Sequence, residues 1–73
     1  MDKKDNLIKA IIVLNTINYR LHTQNISGKV HKEPVDFEAN LKQIYSKLDY
    51  KSLEKLWKLT SAENLYINKL RNG

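Results

Sequence analysis

The spacing of apolar residues near the N-terminus constrains the fold of this chain more than any other feature. These residues recur every three or four positions, as on one side of an α-helix that packs lengthwise against another helix. The members of this series are Leu7, Ala10, Leu14, Ile17 and Leu21. The β-branched run at residues 11–13 would suit a strand, but the helical spacing continues on both sides of it. The pattern therefore predicts a helix over residues 4–23.

The same helix carries a second stripe of side chains, roughly opposite the first. Its members are Ile8, Ile12, Asn15 and Tyr19, spaced four, three and four residues apart. A surface helix of a small monomer needs one apolar face, so two faces indicate a helix that is central or shared with another chain. Short helices of about 15 Å would sheathe only one side of a helix of about 30 Å. We therefore expect the second stripe to be an exposed protein-binding surface, with Asn15 setting the register.

Turn-forming residues follow this helix and predict a loop over residues 24–36. Asn25 and Gly28 are typical of a helix end, and Pro34 disfavours helix at the residue before it. A loop of this length in so small a chain is usually functional or disordered. Its tip is basic because it carries Lys29, His31 and Lys32.

The C-terminal half is predicted to form helices over residues 37–48, 50–59 and 61–71. Asp36 and Asp49 are the expected N-caps of the first two of these helices. The break before the third rests on a capping box, in which Thr60 and Glu63 would satisfy each other's backbone amides.

One continuous helix over residues 50–71 is the alternative to that break. It would place Thr60, Glu63 and Asn64 within an otherwise apolar face, and the break avoids this conflict. With the break, the last helix has an apolar face of its own, with Ile67 pointing elsewhere. That face consists of Ala62, Leu65, Tyr66 and Leu70.

These elements predict an all-α fold in a single domain over residues 1–73. The architecture is a small helical bundle with one long N-terminal helix, a loop and two or three short helices. No segment alternates apolar and polar residues as a half-buried strand would.

The composition argues against catalysis and against cofactors. The chain has no cysteine, which excludes disulfides, cysteine-ligated zinc, iron–sulfur clusters and thiol chemistry. His22 and His31 have no convergent third ligand, and the carboxylates are dispersed along the chain. We therefore predict no catalytic residue, no metal site, no cofactor and no enzyme activity. The longest apolar run is five residues and the N-terminus is polar, so we expect a cytoplasmic protein with no membrane partner.

A basic stripe offers a second candidate site. The chain has 13 basic and 8 acidic residues, for a net charge of +5. Lys47, Lys51, Lys55 and Lys58 would share one helix face and contact phosphates or an acidic protein patch. The last two predicted helices also resemble a helix-turn-helix, in which exposed side chains would read bases. Those side chains are Asn64, Asn68 and Arg71.

These features favour a non-catalytic interaction protein. The abundance of Lys, Asn and Ile is typical of low-GC genomes, and the small size suits a phage or mobile-element accessory protein. We expect such a chain to bind and inhibit a host macromolecule, for example a defence or transcription component. Its partner is another protein chain, either the host target or a second copy in a homodimer. The alternatives are a basic DNA- or RNA-binding regulator and a self-assembling structural module.

Overall fold

A computed structural model describes residues 2–72, and within that range the chain is helical without strands. Helix α1 spans Lys3–Ser27, α2 spans Phe37–Ser46 and α3 spans Tyr50–Asn72. The predicted all-α fold is confirmed. The architecture has two long helices with one short helix between them along the chain, where two or three short helices were expected.

Helix α1 ends four residues later than predicted. Its N-cap is Asp2, whose carboxylate accepts a hydrogen bond from the Lys4 amide at 3.0 Å. Its C-cap is Gly28, which has a φ of 78° and donates its N–H to the Gln24 carbonyl. Glycine adopts this left-handed conformation without strain. Asn25 does not stop the helix because its side chain bonds to the Ile67 carbonyl of α3 instead. The loop therefore covers residues 28–36.

Helix α2 begins where predicted and runs antiparallel to α1. The Tyr19 and Phe37 rings pack with their centroids 5.5 Å apart. Nearer the start of α1, the Asn15 amide donates to the Tyr45 hydroxyl at 3.0 Å. Asp36 occupies the N-cap position without a side-chain cap, and α2 ends two residues before the predicted bound.

Helix α3 is continuous, so the predicted break at Thr60 is wrong and the single-helix alternative is correct. The Thr60 hydroxyl donates to the Leu56 carbonyl one turn back, at 2.8 Å, and forms no capping box. The predicted cap at Asp49 is present, since its carboxylate accepts the Ser52 amide at 2.8 Å.

Helices α1 and α3 are parallel and share a heptad register. The Asn18 amide donates to the Thr60 carbonyl at 3.1 Å, and the Asn25 amide donates to the Ile67 carbonyl at 3.3 Å. The partners in both bonds are 42 residues apart, and the two bonds are one heptad apart. One heptad earlier, Ile11 and Leu53 are both fully buried. Because both partners advance together along the chain, the helices point the same way.

The polar residues on the inner face of α3 all have hydrogen-bond partners, so the helix need not break. Thr60 and Asn18 are both buried. The Asn64 amide donates to the Asn18 side-chain oxygen at 2.9 Å. No buried side-chain nitrogen or oxygen within residues 2–72 lacks a hydrogen-bond partner. The conflict expected from the sequence therefore does not arise, because the Thr60 hydroxyl bonds within α3, Glu63 is exposed and Asn64 pairs with Asn18.

Replacing Asn18 tests this register. Asn18→Ala removes the donor to Thr60 and the acceptor for Asn64 in a buried position. We expect the free energy of unfolding in urea to fall by about 1–3 kcal/mol. Asn68→Ala is the matched control, because the Asn68 amide bonds only to Asn64 within α3. Equal losses in free energy of unfolding in the two variants would show that the bonds of Asn18 between helices stabilise the fold no more than the bonds of Asn68 within α3.

Candidate interaction surface

The predicted protein-binding stripe lies in the interior, so its expected exposure is wrong. Ile8 and Ile12 are 4% and 6% exposed and pack in one cluster with Tyr45 of α2. Asn15 is tied to the Ile11 carbonyl and the Tyr45 hydroxyl, and Tyr19 packs on Phe37. Helix α1 therefore contacts both α2 and α3, and one core cluster contains Tyr45 of α2 and Leu53 of α3 together with the isoleucines of α1. The sequence had left this arrangement open.

Helix α2 is too short to cover the whole of this side. Its ten residues span about 15 Å, whereas the 25 residues of α1 span about 38 Å. Since Phe37 at the start of α2 packs on Tyr19, the last two turns of α1 lie beyond α2. A cavity of about 580 Å³ lies at this end, between the C-terminal turns of α1 and α3. Its lining includes His22, Asn25, Ile26, Leu70 and Arg71.

An apolar stripe on α3 continues from this cavity. Leu59, Ala62, Tyr66 and Leu70 are spaced three, four and four residues apart and lie along one side of the helix. Leu59, Tyr66 and Leu70 are 68%, 63% and 56% exposed. The cavity and this stripe together are called the open groove below.

This stripe corrects the predicted face of the C-terminal helix. Ala62, Leu65, Tyr66 and Leu70 were expected in the core, and all four are exposed. Ile67, expected to point elsewhere, is 2% exposed. In a continuous helix, Leu53, Thr60 and Ile67 are spaced seven residues apart and lie on the same side, which faces α1. The face expected in the core therefore points toward solvent.

The chain exposes more surface than a compact monomer of its size. A monomer of 8.6 kDa is expected to expose about 4700 Å². This chain exposes 5584 Å², an excess of about 900 Å². Its radius of gyration is 13.1 Å, against about 11 Å for a compact domain of 73 residues. Twelve large apolar side chains within residues 2–72 are exposed, while six apolar residues form the core.

The predicted basic stripe is divided between two elements. Lys47, Lys51, Lys55 and Lys58 are all exposed. Lys51, Lys55 and Lys58 lie on α3, whereas Lys47 is the C-cap of α2 and does not share their helix face as expected. The ion pair that forms within residues 2–72 involves none of them and joins Arg20 to Glu33. The pKa of Asp49 is lowered chiefly by its hydrogen bond with Ser52 and also by the charges of Lys4 and Lys55, so Lys55 is partly compensated within the chain.

The residues expected to read bases do not form a helix-turn-helix. Helix α3 runs through the position of the predicted turn. Asn64 bonds to Asn18, and Asn68 bonds to Asn64, so both amides are used within the bundle. Arg71 is exposed and lines the cavity. Nucleic-acid binding by other surfaces remains a prediction.

The basic loop is attached to α1 by a charged pair. Arg20 donates from Nε and Nη2 to the two carboxylate oxygens of Glu33, both at 2.9 Å. The hydrogen bond from this guanidinium holds the pKa of Glu33 below its ordinary value. Two residues before Glu33, the His31 amide donates to the Thr23 hydroxyl at 3.2 Å. The loop therefore runs along the side of α1 that α3 does not cover.

This pair predicts how the loop responds to pH. Because the pKa of folded Glu33 is lowered, the stabilisation is complete above the ordinary glutamate pKa and is lost as the pH falls through the lowered value. Arg20→Gln should return the Glu33 pKa toward the ordinary range, measured from the side-chain carboxyl shift by NMR. An unchanged midpoint in that variant would show that Arg20 does not set the Glu33 pKa.

Other types of site receive no support from the described residues. Within residues 2–72, no group of three or more metal-ligating side chains converges. No helix in that range combines the length and apolar character needed to cross a bilayer. Comparisons with protein-family models, curated proteins and solved structures found no match.

The two apolar surfaces of the bundle should differ sharply in their effect on stability. Ile12→Ala empties a buried site and should lower the free energy of unfolding by about 2–5 kcal/mol. Leu70→Ala removes an exposed side chain from the open groove and should change it by less than about 0.5 kcal/mol. Urea denaturation followed by circular dichroism measures both. A large loss in Leu70→Ala would place the α3 stripe in the core.

Proposed function

We propose that this chain is a non-catalytic protein-binding module that takes up one α-helix of a partner protein in its open groove. The observation that carries the proposal is the missing cover over the last two turns of α1 and the turns of α3 that face them. Helix α2 fills the equivalent position along the preceding part of the pair. A partner helix in the open groove would continue that layer and complete the bundle along its whole length.

The exposed apolar side chains of the open groove agree with this role. The excess of about 900 Å² belongs to the whole chain, and Leu59, Tyr66 and Leu70 contribute part of it. Grooves that bind helices accept anchors spaced three, four and seven residues apart. The open groove presents Ile26 and Leu70 beside a cavity and Tyr66 on the adjoining stripe. Tyrosine is one of the residue types enriched among side chains that dominate binding energy.

Charge favours a different protein over a second copy as the occupant. The chain carries a net charge of +5, so two copies repel one another. The long edge of the α3 stripe is bordered by lysines, and pairing two stripes would bring those lysines together. The homodimer expected from the sequence is therefore the less favoured occupant. That the partner belongs to a host cell, and that binding inhibits it, stays a prediction from composition.

The basic stripe supports a second candidate function, which is binding to nucleic acid. Four exposed lysines would attract phosphates, but the asparagines expected to read bases are engaged in the bundle. Such binding would be independent of sequence and would weaken steeply as salt rises. Docking of a helix through apolar contacts would not show so steep a dependence.

A paired substitution in the open groove tests the proposal. The probe is a fluorescein-labelled 18-residue peptide with leucine at the a and d heptad positions and alanine and glutamine elsewhere. We expect saturable binding of this peptide in fluorescence anisotropy. The double variant Leu59→Ser with Leu70→Ser should bind at least about tenfold more weakly, because it loses the free energy gained by burying two leucine side chains. Val35→Ser is the control, since Val35 is exposed on the loop, and it should bind as the wild type does.

Two outcomes would contradict the proposal. The first is no binding of the peptide, or equal binding by the wild type and the paired variant. The second is a dimer in sedimentation equilibrium that the same substitutions dissociate, because the occupant would then be a second copy. The unfolding transition of the paired variant checks that the fold is intact.

A further inference from the structure

We infer that the helix accepted by the open groove is acidic, with carboxylates along the edge that meets the lysines of α3. This inference rests on the proposed function and specifies the chemistry of its partner. It follows from where the exposed lysines of α3 lie relative to the apolar anchors.

The lysines border the α3 stripe along one edge. Lys55, Lys58 and Lys69 each lie four or seven residues from Ala62, and so share its side of the helix. All three side chains belong to exposed residues, and none takes part in an ion pair within residues 2–72. Glu54 and Glu63 are the two carboxylates of α3. They leave the helix with a surplus of positive charge.

The end of the bundle beside the cavity is also positive. Residues 21–32 and 64–72 contain no aspartate and no glutamate. The same segments carry Lys29, Lys32, Lys69 and Arg71. Arg71 lines the cavity together with Ile26 and Leu70, so a cation and two apolar anchors share one pocket. A partner that buries its apolar side chains here brings its flanking residues close to these cations.

The arrangement is that of an apolar seam with a charged flank. In paired helices, charged residues beside the seam select the partner through complementary charge. Lysine stems also extend along apolar surface while their ammonium groups stay in water, so these side chains can contact the partner helix. Lys55 and Lys69 are 14 residues apart, or about 21 Å along α3. Carboxylates spaced three or four residues apart over four turns of the partner would match this length.

The test uses two peptides that differ only in charge. Both are labelled 18-residue helices with leucine at a and d, one with glutamate and the other with lysine at the e and g positions. We expect the glutamate peptide to bind at least about tenfold more tightly at 50 mM NaCl. The difference should shrink to less than about threefold at 500 mM NaCl, because salt screens exposed charges.

A pair of triple variants separates local charge from net charge. Lys55→Gln, Lys58→Gln and Lys69→Gln remove the flank of the α3 stripe. Lys3→Gln, Lys9→Gln and Lys42→Gln remove the same net charge elsewhere on the exposed surface. We expect the first triple variant to lose most of its preference for the glutamate peptide and the second to keep it. Equal loss in the two would mean that net charge alone acts, and would overturn the inference.

The remaining outcomes distinguish this inference from the proposed function. If both peptides bind equally at low salt, the partner is not acidic, but the open groove still binds helices. If neither peptide nor the uncharged one binds, the proposed function fails. A 20-nucleotide single strand that binds through Lys55, Lys58 and Lys69 more tightly than the glutamate peptide would assign the lysines to nucleic acid and overturn the inference.

Discussion

The parallel pairing of α1 and α3 is the interaction on which the rest of the structure depends. Two asparagine amides, from Asn18 and Asn25, reach across to backbone carbonyls of α3 one heptad apart. Apolar packing between two long helices tolerates sliding by a turn, but a buried amide must find its acceptor. The polar half of the interface therefore sets the register, and the apolar half around Ile11 and Leu53 adds buried area.

This pairing determines both the core and the surface left open. Parallel helices need a connection that returns along the bundle, and α2 together with the loop supplies it. Because α2 has only ten residues, it covers Ile8 and Ile12 and leaves the last turns of α1 and α3 without a third layer. The open groove is thus a consequence of unequal helix lengths. It places Ile26 and Leu70 at the surface, where their side chains contribute little buried apolar area to the stability of the monomer.

The distribution of charge makes one edge of that surface more positive than the other. Arg20 and Glu33 are paired and hold the loop against α1, away from α3. The lysines of α3 have no such partners within the described residues and lie beside the exposed apolar stripe. A surface that combines uncovered leucines with exposed lysines supports the proposal that the partner is an amphipathic acidic helix. This complementarity requires no metal, cofactor or catalytic group from the chain.

The sequence by itself determined the fold class, the start of each helix to within about a residue and the cap at Asp49, because these depend on local spacing and capping chemistry. The candidate site was not predictable in this way. Which stripe of α1 is buried depends on where α2 packs, and whether Asn64 can lie on the inner face of a continuous α3 depends on Asn18, which is 46 residues away along the chain. An inward-facing polar residue looks like a helix end until its partner is known. Only the tertiary structure supplies that partner, and so it decided that Ile12 is core and Leu70 is surface.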